Sequence, residues 1–148
     1  MRPTAPLPLY HSWPLGESAR QFALGGTFQS AASEFAAARA GPELAPDIGR
    51  WSCDLADNAL TWSGEVYDVF GLPRGAQVSR DETLAFYCDG SRDIMQRLRS
   101  YAIKHRRGFT LDAEIRTVSE GIAWMRLIAA PVCEGGRVVR LEGVKQRL

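Results

Sequence analysis

Cysteine, histidine and long apolar runs are all scarce in this 148-residue chain, and each scarcity removes a class of function. The three cysteines, Cys53, Cys88 and Cys133, include no close pair and no Cys-x-x-Cys, so the sequence offers neither a disulfide framework nor a zinc site. Its two histidines, His11 and His105, stand far apart without companion ligands, which argues against a metal. A formal net charge of +1 supplies no overall field toward nucleic acid or a membrane surface. No apolar run approaches the roughly 20 residues that cross a bilayer, and the N-terminus lacks the charged, apolar and small-residue succession of a signal peptide. The expectation is a cytoplasmic protein with no metal, no nucleic acid and no membrane partner. Catalytic patterns are missing too: there is no nucleophile with a base and no carboxylate pair at a recognisable spacing, and Gly25-Gly26 and Gly135-Gly136 lack the lysine of a phosphate loop.

What is present is an ordinary globular composition, 45% hydrophobic and 24% charged, arranged in a telling order. Gly49-Arg50-Trp51-Ser52-Cys53-Asp54-Leu55 and Leu60-Thr61-Trp62 read as two strands, joined through Asp57-Asn58, whose side chains favour turns. Ser63 then opens a short helix carrying Val66, Val69 and Phe70, which stops at Gly71 before Pro73. Ser79-Arg80-Asp81-Glu82 is a capping box. Residues 91–105 carry Ile94, Met95, Leu98, Tyr101 and Ala102 on one stripe opposite a basic face, read as solvated. From Phe109 the period becomes two, and turns at Glu120-Gly121 and Glu134-Gly135-Gly136 divide the remainder into a three-stranded antiparallel meander.

These residues resemble the PAS domains, particularly a subgroup with Gly-x-Trp-x-x-Asp-Leu followed by Thr-Trp-Ser-x-Glu-x-Tyr-x-x-Phe-Gly-Leu. The elements stand here as Gly49, Trp51, Asp54 and Leu55, then Thr61, Trp62, Ser63, Glu65, Tyr67, Phe70, Gly71 and Leu72. Glu114, Arg116, Glu120-Gly121 and Trp124 look like the later Glu-x-Arg, Asp-Gly and Arg-Trp elements. Two departures stand out: Cys88-Asp89-Gly90-Ser91-Arg92 replaces His-Pro-Asp-Asp-Arg, and Val144-Lys145-Gln146-Arg147-Leu148 replaces the Asp-Ile-Thr exit toward an effector. If the gene ends there, output is expected to pass through surface contacts. The resemblance implies an α+β fold: a five-stranded antiparallel sheet flanked by short helices, over residues 49–148.

The N-terminal third reads as an addition. Residues 1–15, with Pro3, Pro6, Pro8 and Pro14, are expected to be an extended or disordered tail. Residues 16–48 read as a helix and linker, the helix over residues 17–40 and firmest over 27–40. Its stripe of Leu24, Phe28, Ala31, Phe35 and Ala38 is too narrow to stand alone in water. It needs a surface, either the outer face of its own sheet or the same helix of a second protomer, and a homodimer is expected.

The resemblance implies a sensory or protein-interaction module of bacterial signal transduction, acting on a partner such as a histidine kinase or cyclic-dinucleotide enzyme. A ligand-free structural dimerisation domain is the alternative, and a small-ligand-binding enzyme a distant third. The flavin-photoadduct motif Gly-Arg-Asn-Cys-Arg-Phe-Leu-Gln is absent, and His105 stands at the basic far end of its helix, so the residues argue against flavin adduct chemistry and against haem. An unidentified small ligand, or none, is left. Candidates for the interior are Cys53, Tyr67, Phe70, Phe86, Met95, Leu98, Phe109, Leu111, Ala113 and Ile115, each of which core packing alone would also explain.

Overall fold

The turn at Asp57-Asn58 builds the first hairpin: Asn58 takes the left-handed region (φ 58°), and the Asp54 and Asp57 carboxylates accept from the backbone N–H groups two residues on. The turn pairs two strands, Ile48–Asp54 and Leu60–Trp62, with Trp51 directly opposite Trp62. The computed structural model describes residues 10–23 and 47–148. In chain order its strands are β1 (Tyr10–Pro14), β2 (Ile48–Asp54), β3 (Leu60–Trp62), β4 (Arg107–Thr117), β5 (Gly121–Glu134) and β6 (Arg137–Arg147). Its α-helices are α1 (Ser18–Ala23), α2 (Gly64–Phe70), α3 (Arg80–Leu84) and α4 (Asp89–His105). The proposed dimer stripe at Leu24, Phe28, Ala31, Phe35 and Ala38 lies outside the described residues.

Local chemistry sets the helix ends. Ser63 occupies the N-cap position of α2, but its Oγ accepts from the Arg50 N–H (2.9 Å) and so ties the helix to β2. Gly71 closes α2 at φ 75°, a left-handed turn that glycine adopts without cost. The capping box at α3 is complete: Ser79 Oγ accepts from Glu82 N–H and Glu82 Oε1 accepts from Ser79 N–H.

All six strands are antiparallel, in the order β1-β4-β5-β6-β2-β3. The expected meander β4-β5-β6 therefore joins the first hairpin through β2 and β6. Strand parity sorts side chains as the period-two pattern predicts: Phe109, Leu111, Ala113 and Ile115 of β4 enter the main core with Met125, Leu127 and Ala129 of β5. Helices α2, α3 and α4 roof this inner face. On the outer face the Asp112 carboxylate receives both forks of Arg126 (2.8 and 3.0 Å) directly across the strand pair, which holds the β4–β5 register.

The sheet has six strands, where five were expected. The extra one is β1, from the proline-rich segment. It pairs with the edge of β4, where Pro14 at its last position costs no ladder bond that the sheet interior would need. Trp13, 1% exposed, lies over Gly108, where any Cβ would strike its ring at 2.1 Å. Its indole N–H donates to Thr110 Oγ1 (3.0 Å), and the Thr110 hydroxyl donates to Gln21 Oε1 of α1 (3.3 Å). Trp13 and Phe22 thus cover Ile48, Ile128, Ala130 and Val144, a second apolar cluster on the outer face. The rest of the β4 edge is covered by the segment before α4, through Arg116 N–H to Phe86 C=O and Cys88 N–H to Glu114 C=O.

Trp13→Ala should lower stability by about 3–5 kcal/mol, since it removes a buried aromatic and the indole donor to Thr110. Urea denaturation measures this, and an unchanged midpoint would show that β1 does not help hold the sheet.

Candidate functional site

Pairing of β2 with β6 places Gly49 opposite Lys145, Trp51 opposite Gly143 and Cys53 opposite Leu141, so a lysine enters the same inner row as a tryptophan and a cysteine. Lys145 is only 7% exposed. Its Nζ sits 5.1 Å from the Phe70 ring centre, 5.4 Å from Trp62, 5.5 Å from Trp51 and 5.9 Å from Tyr87, an aromatic cage at cation–π distance. Stacking of Trp62 on Phe70 (5.4 Å) and contact of Phe70 with Phe86 (5.3 Å) fix two of those rings. Among the described residues no hydrogen bond or ion pair to the Lys145 amine is present. Burial pulls its pKa down from 10.5 to about 7, with a small opposing pull from Cys53.

Beside Lys145, between the sheet and helices α3 and α4, lies a cavity of about 50 Å³. Among the described residues its wall contains three cationic side chains, Lys145, Arg80 and Arg99, and no carboxylate. Arg80 reaches Gln96 Oε1 (3.1 Å) and Arg99 reaches Asn58 Oδ1 (3.3 Å), which positions both at the rim. Burial first, then repulsion from Arg99, lowers the pKa of Arg80. Tyr87 is pushed the other way by burial, above the ordinary phenol range, so it stays an O–H donor. Trp51 and Trp62 also line the cavity, and their indole nitrogens are buried N–H donors without a hydrogen-bond partner. Polar chemistry here is thus dominated by donors and positive charge.

Of the ten interior candidates, the cavity wall contains Cys53, Met95 and Phe109. Phe70 stands behind it in the cage around Lys145, while Phe86 and Leu98 pack against the core. Leu111, Ala113 and Ile115 are core residues away from the wall, and Tyr67 packs edge-on against Trp62 (5.0 Å). Sequence reasoning missed Lys145, Trp51, Trp62, Arg80, Tyr87 and Arg99. Parity along β6 was the available signal for Lys145, since Leu141, Gly143 and Lys145 share a face, but it acts only once β6 is paired with β2.

The depressed lysine makes stability depend on pH with a definite sign. Below about pH 7 folded and unfolded chains both hold the proton and Lys145 adds no slope; between about 7 and 10.5 only the unfolded chain holds it, so stability rises with pH. Lys145→Met should flatten that rise and raise stability at pH 6 by an amount on the order of a few kcal/mol. Urea midpoints from pH 6 to 9.5 read both effects, and an equally steep profile in the variant would exclude Lys145 as its source.

No family model and no curated protein matches the sequence. Solved structures do. An RNA-binding light-oxygen-voltage receptor superimposes with a TM-score of 0.61 at 19% identity over 68% of this chain, which spans 29% of that receptor. The N-terminal domain of a diguanylate cyclase with PAS/PAC sensor from Marinobacter aquaeolei gives 0.60 at 14% identity, over 68% of this chain and 94% of that one. A sensory box histidine kinase/response regulator from Burkholderia thailandensis gives 0.60 at 17% identity, over 77% and 83%. With the antiparallel sheet and its helical roof, these likenesses establish that the chain has the PAS fold.

Proposed function

We propose that this chain is a cytoplasmic, non-enzymatic sensory and protein-interaction module of bacterial signal transduction, which regulates a partner such as a histidine kinase or a cyclic-dinucleotide enzyme. The observation that carries this reading is the cavity under α3 and α4, where a buried amine without an ion pair faces empty space. A purely structural domain has no use for such an arrangement, because an apolar residue in place of an unpaired buried lysine is more stable. The sensor contexts of the similar diguanylate cyclase domain and histidine kinase support the same reading. A signal would start as a change in cavity occupancy and leave through the packing of the N-terminal segment on the outer face, a two-state element biased by ligand.

The proposal includes a homodimer through the stripe of Leu24, Phe28, Ala31, Phe35 and Ala38. Trp13 and Phe22 cover part of the outer face, which supports a role for the N-terminal segment at that face.

Native mass spectrometry and the absorbance spectrum of freshly purified protein should show a small bound mass; an empty dimer would favour the ligand-free dimerisation domain instead. Phe28→Glu combined with Phe35→Glu should convert dimer to monomer in size-exclusion light scattering while the circular dichroism of the sheet is kept. A dimer of unchanged mass would refute the role of that stripe.

A further inference from the structure

We propose that the cavity beneath α3 and α4 binds a short-chain carboxylate, with the anion held by Lys145. The inference deepens the sensory reading and rests on it for the site's purpose. Three features of the wall select the ligand class. Charge comes first: Lys145, Arg80 and Arg99 line the space and no acid among the described residues lines it with them, so an occupant that brings a negative charge completes the site. Hydrogen bonding comes second: Trp51 and Trp62, two of the lining residues, carry buried indole N–H groups without acceptors, and among the described residues the Lys145 amine makes no hydrogen bond or ion pair. Buried donors are almost always satisfied in folded proteins, and a carboxylate offers two oxygens with several lone pairs.

Size and apolarity then narrow the class. A cavity of about 50 Å³ has room for only a few water-sized groups, which corresponds to roughly three to six non-hydrogen atoms. Phosphate esters, nucleotides and aromatic acids are too large. Met95, Phe109, Leu127 and Leu141 supply an apolar floor that suits a methyl, ethyl or propyl tail and is wasted on nitrate or bicarbonate.

Protons couple to this binding. Among the described residues the charged or titratable groups that face Lys145 are Cys53 from β2, Arg80 from α3, Tyr87 from the α3–α4 connection and Arg99 from α4, and none of them is a carboxylate that would hold the lysine protonated. A bound carboxylate does. Above neutral pH, binding therefore requires proton uptake by Lys145, and affinity falls by up to about tenfold per pH unit.

The test is isothermal titration calorimetry of the full chain with acetate, propionate and butyrate at pH 6.5 and 8.5, with propionamide as the neutral isostere. Saturable binding is expected at pH 6.5, weaker by roughly tenfold or more at pH 8.5, and absent for propionamide. Lys145→Met should abolish it. Should that variant fail to fold, Arg99→Gln on the rim should weaken binding severalfold and keep the same pH slope. Propionamide binding as well as propionate, or binding unchanged in Lys145→Met, would overturn the proposal. If the carboxylates fail while native mass spectrometry finds a neutral ligand, the sensory reading stands and this one falls. If they bind yet leave the oligomer and the hydrogen exchange of β1 unchanged, the site stands and the sensory reading falls.

Discussion

The antiparallel pairing of β2 with β6 is the constraint on which this architecture depends. It joins two pieces of chain separated by more than eighty positions, so that a hairpin made early and a meander made late become one sheet. Without it Trp51 and Trp62 would form an isolated two-stranded ribbon, which is marginal in water at best. With it, the ring pair acquires a floor of Leu127 and Leu141 and a roof of α3 and α4, and Lys145 is carried into the interior by the alternation of its strand.

A sheet made this way has two apolar faces, and each needs a cover. The inner face is roofed by the short helices, whose ends are set by a capping box at Ser79 and a left-handed glycine at Gly71. The outer face is covered in part by Trp13 and Phe22, brought there by a strand that adds to the exposed edge of β4. One unpaired lysine is buried among the aromatic side chains at a cost in desolvation that cation–π contact offsets only in part. That imbalance is local, and the rest of the core is conventionally apolar.

The fold was legible because its signals are local. The Asp57-Asn58 turn, the capping box, the change of period at Phe109 and the glycine turns each declare their element within a few residues, and a motif resemblance supplied their order. The sixth strand was hidden because β1 is built on proline-flanked sequence whose pairing depends on the free edge of β4, which lies about a hundred residues away. The candidate site was only partly legible for a related reason. Parity on β4 correctly sends Phe109 inward, but it cannot tell a cavity wall from plain core, and Leu111, Ala113 and Ile115 prove to be core. Lys145 looks like one more charge in a basic closing strand until the β2 register shows what lies opposite.

The alternation that buries Lys145 on one side of β6 buries its neighbour Val144 on the other, in the cluster shared with Trp13 and Phe22. The cavity and the outer cluster are thus separated by a single peptide unit. The sensory reading proposed above therefore needs no long relay of side chains: a roll of this one strand about its axis displaces both residues at once, in opposite directions, like the two ends of a seesaw.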